Sequence, residues 1–217
     1  MLKTTWTQRV ILLQGKLNRL LASSKLFWVV FGVFVIAALW MAISGAYSMA
    51  YDEYVHYGII KLYAHQLSPF LTHQPLMADA FGAITRDPSY LYHYVMSFPF
   101  RLFAHFVSSQ TAQIIFLRLF DVAFYAAGLL VFRMAFVRAG MPAHIRNLVL
   151  GFCMLLPVAP FMAAQVNYDD MLFLFVALTI WLAVIVAGTV YGAKRIPVLP
   201  VIWLLVVMLL GGLVKYA

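Results

Sequence analysis

Five apolar runs constrain this chain more than any other feature: residues 26–47, 112–137, 147–166, 171–191 and 197–214. Each is close to the roughly 20 residues a helix needs to cross about 30 Å of hydrocarbon. In that solvent every backbone N–H and C=O must find its partner within the segment, so helices are the spanning element such separate runs can supply. Composition agrees, with 65% of the 217 residues hydrophobic, 10% charged and a mean hydropathy of +0.93, far outside the ordinary soluble range. The sequence therefore predicts an all-α protein, a polytopic transmembrane helical bundle. A further apolar stretch, 90–107, carries His93, Pro99, Arg101 and His105 and reads as a helix lying in the interface rather than as a sixth span.

Positive charge sets the expected orientation. Lys3, Arg9, Lys16, Arg19 and Lys25 precede the first run without an acidic residue, which predicts a cytoplasmic N-terminus. With five spans, Arg133, Arg138 and Arg146, and then Lys194 and Arg195, also fall inside. The segment 48–111 and the turn 167–170 then lie outside. Residues 1–25 form a basic segment of their own, in which Trp6, Val10, Leu13, Leu17 and Leu20 recur at helical spacing, as in a helix resting on the inner leaflet. Residues 26–217 make one membrane domain. The net charge of +8 is spread over short segments flanking apolar runs, a pattern for lipid head groups and not for nucleic acid. Cys153 stands alone, so no intrachain disulfide forms, and its apolar setting suits a packed side chain.

The expected outer segments hold the chemistry. Asp52 and Glu53 sit at the exit of the first run and Asp169 and Asp170 in the second outer turn, so four of the seven acidic residues converge on one face. Five of the six histidines, His56, His65, His73, His93 and His105, lie in the first outer segment among many tyrosines. Residues 52–66 suit a short helix with Asp52 near its start, and prolines at 69, 75 and 88 divide the rest of the segment into short elements.

Tyr51-Asp52-Glu53-Tyr54-Val55-His56-Tyr57 resembles the Asp-Glu-x-x-His signature of GT-C glycosyltransferases. These are polytopic enzymes that take sugars from polyprenyl phosphate carriers, protein O-mannosyltransferases and aminoarabinose transferases among them. Asp87-Pro88-Ser89-Tyr90-Leu91-Tyr92-His93-Tyr94 is similar to the family's proline and aromatic segment. Phe116-Leu117-Arg118-Leu119-Phe120 resembles its Leu-Arg signature. Asn167-Tyr168-Asp169-Asp170 stands where the family has acidic residues, and Leu213-Val214-Lys215-Tyr216 resembles a span-ending lysine. The resemblance runs in order over residues 26–216. Family members have more spans and often a soluble outer domain, so the chain reads as the N-terminal membrane part or as a minimal version.

The resemblance implies transfer from a polyprenyl phosphate-linked sugar donor on the extracytoplasmic face of a plasma membrane, that of a bacterium, with membrane lipids as surroundings and no protein partner identified. Asp52 is then the base, with helix N-capping as its bland use. Glu53 is placed with Asp52 in the catalytic pair, where it either orients a partner or faces water. His56, one turn beyond Asp52, bonds it, contacts phosphate or is simply solvated. Asp169 and Asp170 position the acceptor, join Asp52 around a divalent cation, or cap the helix starting at Met171. The histidines lack the tight spacing of a zinc site. Arg118 and Asp121 are three residues apart, close enough on one helix face to form a self-neutralising pair that locks helix packing; otherwise Arg118 is expected to meet a lipid phosphate, and Lys215 either binds phosphate or snorkels. Two rivals stand beside the transferase: a transporter or lipid-binding subunit without catalysis, and a structural membrane subunit. A transporter calls for polar or broken helices at mid-membrane.

Overall fold

A computed structural model describes residues 6–50, 52–70, 90–193 and 196–215. Tyr51, residues 71–89 with His73 and the Asp87-Pro88-Ser89 motif, and Lys3, Lys194, Arg195 and Tyr216 lie outside the described residues. All regular structure among the described residues is helical, and the chain is a helical bundle. In chain order the helices are α1 (Trp6–Leu21), α2 (Ser24–Ser44), α3 (Glu53–Ala64), α4 (Leu91–Phe106), α5 (Gln110–Arg138), α6 (Ala143–Leu155), α7 (Val158–Ala163), α8 (Tyr168–Ala193) and α9 (Val198–Val214).

Three of these, α2, α5 and α8, are long and apolar enough to cross a membrane. The expected single span 147–166 is instead two helices. Leu156 precedes Pro157, and the proline ring pushes the residue before it out of the helical region; Leu156 accordingly has φ −62°, ψ 125°, and α6 stops there. Pro160 falls in the first turn of α7, where a missing N–H costs nothing because that turn has no internal acceptor. The last apolar run gives α9, 17 residues and ~26 Å long, shorter than the three spans.

Helix direction follows from the contacts. Phe34 meets Tyr125 and Arg133 lies 4.5 Å over the Phe27 ring, so α2 and α5 are antiparallel. Tyr125 stacks on Phe173 at 4.4 Å, and a side chain at Gly128 would strike the Phe173 ring at 2.5 Å with the Leu174 backbone behind it. These pairs progress in the same sense, so α5 and α8 run parallel, which requires α6 and α7 together to carry the chain back along the bundle. Gly128 permits the close approach. Helix α9 returns antiparallel to α8, with Gly211 against Phe175 and Lys215 at Asp169.

One end of the bundle thus gathers the end of α2, α3, the starts of α4, α5 and α8, and the end of α9. Of the described basic residues, Lys16, Arg19, Lys25, Arg133, Arg138 and Arg146 belong to the opposite end, and Lys61, Arg101, Arg118 and Lys215 to this one. Outward-facing Trp28, Val29, Ile36 and Trp40 of α2 and Leu205 and Leu209 of α9 leave an apolar belt between the two ends. The stretch expected to lie in the interface is α4, which carries Pro99 inside it and buries Tyr92, His93, Met96 and Phe100. Its Arg101 donates to the carbonyls of Tyr63, Ala64 and Gln66, capping the C-terminus of α3.

Candidate active site

The site rests on a buried ion pair. Arg118 Nε donates to Glu53 Oε1 at 2.7 Å and Nη2 to Oε2 at 2.8 Å. Its other three N–H groups go to the carbonyls of Ala42 (3.2 Å), Gly45 (2.8 Å) and Ala46 (3.2 Å) at the end of α2. Glu53 also accepts from the Met49 N–H at 2.8 Å and the Val166 N–H at 3.1 Å. One carboxylate therefore ties α3 to α2, α5 and the chain before α8.

This arrangement corrects two expectations about Arg118 and decides between the two readings of Glu53, which holds a partner. Arg118 is not paired with Asp121: helical side chains lean toward the N-terminus of their helix, so Arg118 reaches away from Asp121 toward the carbonyl-rich end of α2. Arg118 has no donor left for a lipid phosphate, because all five are committed. Glu53 neither faces water nor stands free as a reactive group, since it is fully buried with both oxygens engaged. Asp121 is bonded instead by the Tyr92 hydroxyl, at 3.0 and 2.9 Å to its two oxygens. Burial, then the neighbouring Asp121, pushes the Tyr92 hydroxyl far above the usual phenol range, so it remains a donor.

Asp52 is the opposite case from Glu53. It occupies the N-cap position of α3 but makes no side-chain capping bond, so capping does not explain it. Its carboxylate, 47% exposed, sits at the rim with Oδ2 3.4 Å from His56 Nε2, outside close hydrogen-bond range. The His56 ring holds the Asp52 carboxyl below the ordinary range; partial burial opposes this, and Lys215 adds a smaller downward pull. Behind His56, its Nδ1 lies 2.9 Å from His93 Nε2. Burial, and then the nearby His56, keep the His93 ring neutral well below the usual imidazole range. The order Asp52, His56, His93 is thus a graded path from the surface inward.

Tyr168 joins the two expected outer segments. Its ring meets His56 edge-on at 4.7 Å, and the Lys215 ammonium lies 4.8 Å over it. Lys215 donates to Asp169 Oδ1 at 2.8 Å, with both side chains partly exposed, and this bond raises the Lys215 pKa. The Asn167 side chain accepts from the Asp169 N–H at 3.1 Å, so Asn167 caps this turn. Asp52, His56, Asp169 and Lys215 therefore share one rim, while Asp170 is buried and lines a cavity among α5, α6, α7 and α8 that Asp169 also borders. The divalent cation considered from sequence finds no ligand set, since no group of three or more His, Cys, Asp or Glu side chains converges among the described residues. Asp169 is held by Lys215, and Asp170 faces elsewhere.

Sequence reasoning missed the parts of His93, Tyr92 and Tyr168. Polar side chains within an otherwise apolar stretch were the available signal for the first two. No protein-family model, curated protein or solved structure matches the chain.

Proposed function

We propose that the chain is a membrane glycosyltransferase-like protein of GT-C type, transferring a sugar from a polyprenyl phosphate-linked donor to an acceptor on the extracytoplasmic face of a plasma membrane. The observation that carries this reading is the division of labour in the Asp52-Glu53 pair: Glu53 is locked onto Arg118, whereas Asp52 is ionised and open at the rim. A rigid carboxylate beneath a reactive one is what positioned general-base catalysis needs. The acceptor oxygen attacks the sugar's anomeric carbon, the bond from that carbon to the phosphate oxygen breaks, and the polyprenyl phosphate leaves with the bonding electrons. The acceptor's proton passes to Asp52, with His56 beside it.

Lys215 is the rim cation best disposed to meet the phosphate, taking over the role that the sequence resemblance gave to Arg118. Charge placement supports the orientation, because Lys16, Arg19, Lys25, Arg133, Arg138 and Arg146 belong to the opposite end of the bundle, and the α5 arginine at the site end, Arg118, is neutralised by Glu53. The test is transfer by the full chain in nanodiscs supplied with polyprenyl phosphate-linked sugars. Labelled product is expected. Absence of product with every such donor, alongside retained binding of the polyprenyl phosphate, favours a non-catalytic lipid-binding subunit.

A further inference from the structure

Asp170, unlike its partly exposed neighbour Asp169, is buried. It is 2% exposed and its Oδ2 has no hydrogen-bond partner, a state that native folds avoid because an unpaired buried polar atom is costly. The carboxylate lines a cavity of about 410 Å³, in the size range of small-molecule sites. Leu129, Phe132, Leu150, Ala159 and Phe173 make its wall apolar, and Cys153 lies among them.

Charge at the head of this cavity is one-sided. Of the five carboxylates at this end of the bundle, Asp52 lies beside His56, Glu53 is matched by Arg118 and Asp169 by Lys215. Among the described residues no cationic side chain pairs with Asp121 or Asp170. Tyr92 serves Asp121, and Asp170 Oδ2 is left open.

We propose that this cavity binds a single-chain cationic amphiphile, an alkyl amine by chemical class, with its tail against the apolar wall and its ammonium on Asp170. An ammonium brings both the missing donor and the missing charge. An alcohol brings only a donor, and an anionic head group such as a phosphate is repelled. The proposal is independent of the transfer chemistry at Asp52.

Cys153, the one cysteine in the sequence, reports occupancy because it lines the same cavity. The full chain in phosphatidylcholine nanodiscs is treated with N-ethylmaleimide in the presence of dodecylamine, dodecanol, dodecanoate or dodecane at equal mole fraction. Dodecylamine is expected to slow alkylation of Cys153, and the other three to leave it unchanged. Asp170→Asn should require about tenfold more dodecylamine for the same protection, the weight of one charge-assisted contact. Equal protection by dodecane or dodecanol overturns the proposal, as does protection by dodecylamine that Asp170→Asn leaves intact. The head-group series on the wild-type chain decides the matter even if the variant is not recovered folded.

Discussion

Replacing Glu53 by glutamine removes the charge that balances Arg118 while keeping the shape of the side chain. Arg118 is 1% exposed and Glu53 fully buried, so the variant leaves a guanidinium inside the bundle with only the carbonyls of Ala42, Gly45 and Ala46 and a neutral amide around it. Breaking a buried pair from one side costs about 3–5 kcal/mol, because the surviving charge stays desolvated. In a chain of this size that corresponds to a fall of about 10 °C in thermal midpoint. Arg118→Met should cost a similar amount by stranding Glu53, and the double variant should cost far less than the sum of the two, since each change removes the same interaction. Tryptophan fluorescence during thermal unfolding in one detergent measures all three, with Arg138→Met, at an exposed position ending α5, as the reference substitution. A Glu53→Gln midpoint as close to wild type as that of Arg138→Met, or additive effects in the double variant, refutes the lock.

Two further outcomes rest on the same geometry. Single cysteines at Ser68 and Tyr168 in a Cys153→Ala background should both react with an impermeant thiol reagent applied from outside cells, and labelling of either from the cytoplasm alone contradicts the proposed orientation. The lowered His93 pKa makes stability depend on pH in a defined direction: above about pH 6.5 the ring is neutral folded or unfolded, and as pH falls the unfolded chain gains a proton that the buried ring resists. Wild-type stability should therefore decline between about pH 7 and pH 5 by more than that of His93→Gln, as read from thermal midpoints; equal slopes contradict a neutral buried ring.

Much of the architecture is legible in the residue pattern. The long apolar runs give α2, α5 and α8, and the helical spacing of Trp6, Val10, Leu13, Leu17 and Leu20 gives α1. His93, Pro99, Arg101 and His105 mark the stretch that becomes α4, apart from the long spans. Hydropathy alone joined α6 to α7, because an averaged window does not register that Pro157 forbids a helical Leu156. At the site, the grouping of Asp52 with Asp169 followed from ordering the runs across a membrane. The bond from Glu53 to Arg118 did not, since it spans 65 residues and spacing rules see only the nearer Asp121. The unpartnered oxygen of Asp170 was equally hidden: a sequence places two adjacent aspartates in one turn, but only the packing leaves Asp169 partly exposed on Lys215 and Asp170 buried without a partner for Oδ2.

The central claim is that Asp52 accepts the acceptor's proton while Glu53 only holds the site in place. Asp52→Asn keeps size and most hydrogen bonding but removes the accepting charge, and its half-exposed position carries little of the fold. Transfer and thermal midpoint measured on this variant in one nanodisc preparation test the claim directly. The account predicts a fall in transfer of about a hundredfold or more, with the midpoint and polyprenyl phosphate retention at wild-type values. Transfer at the wild-type rate would contradict it.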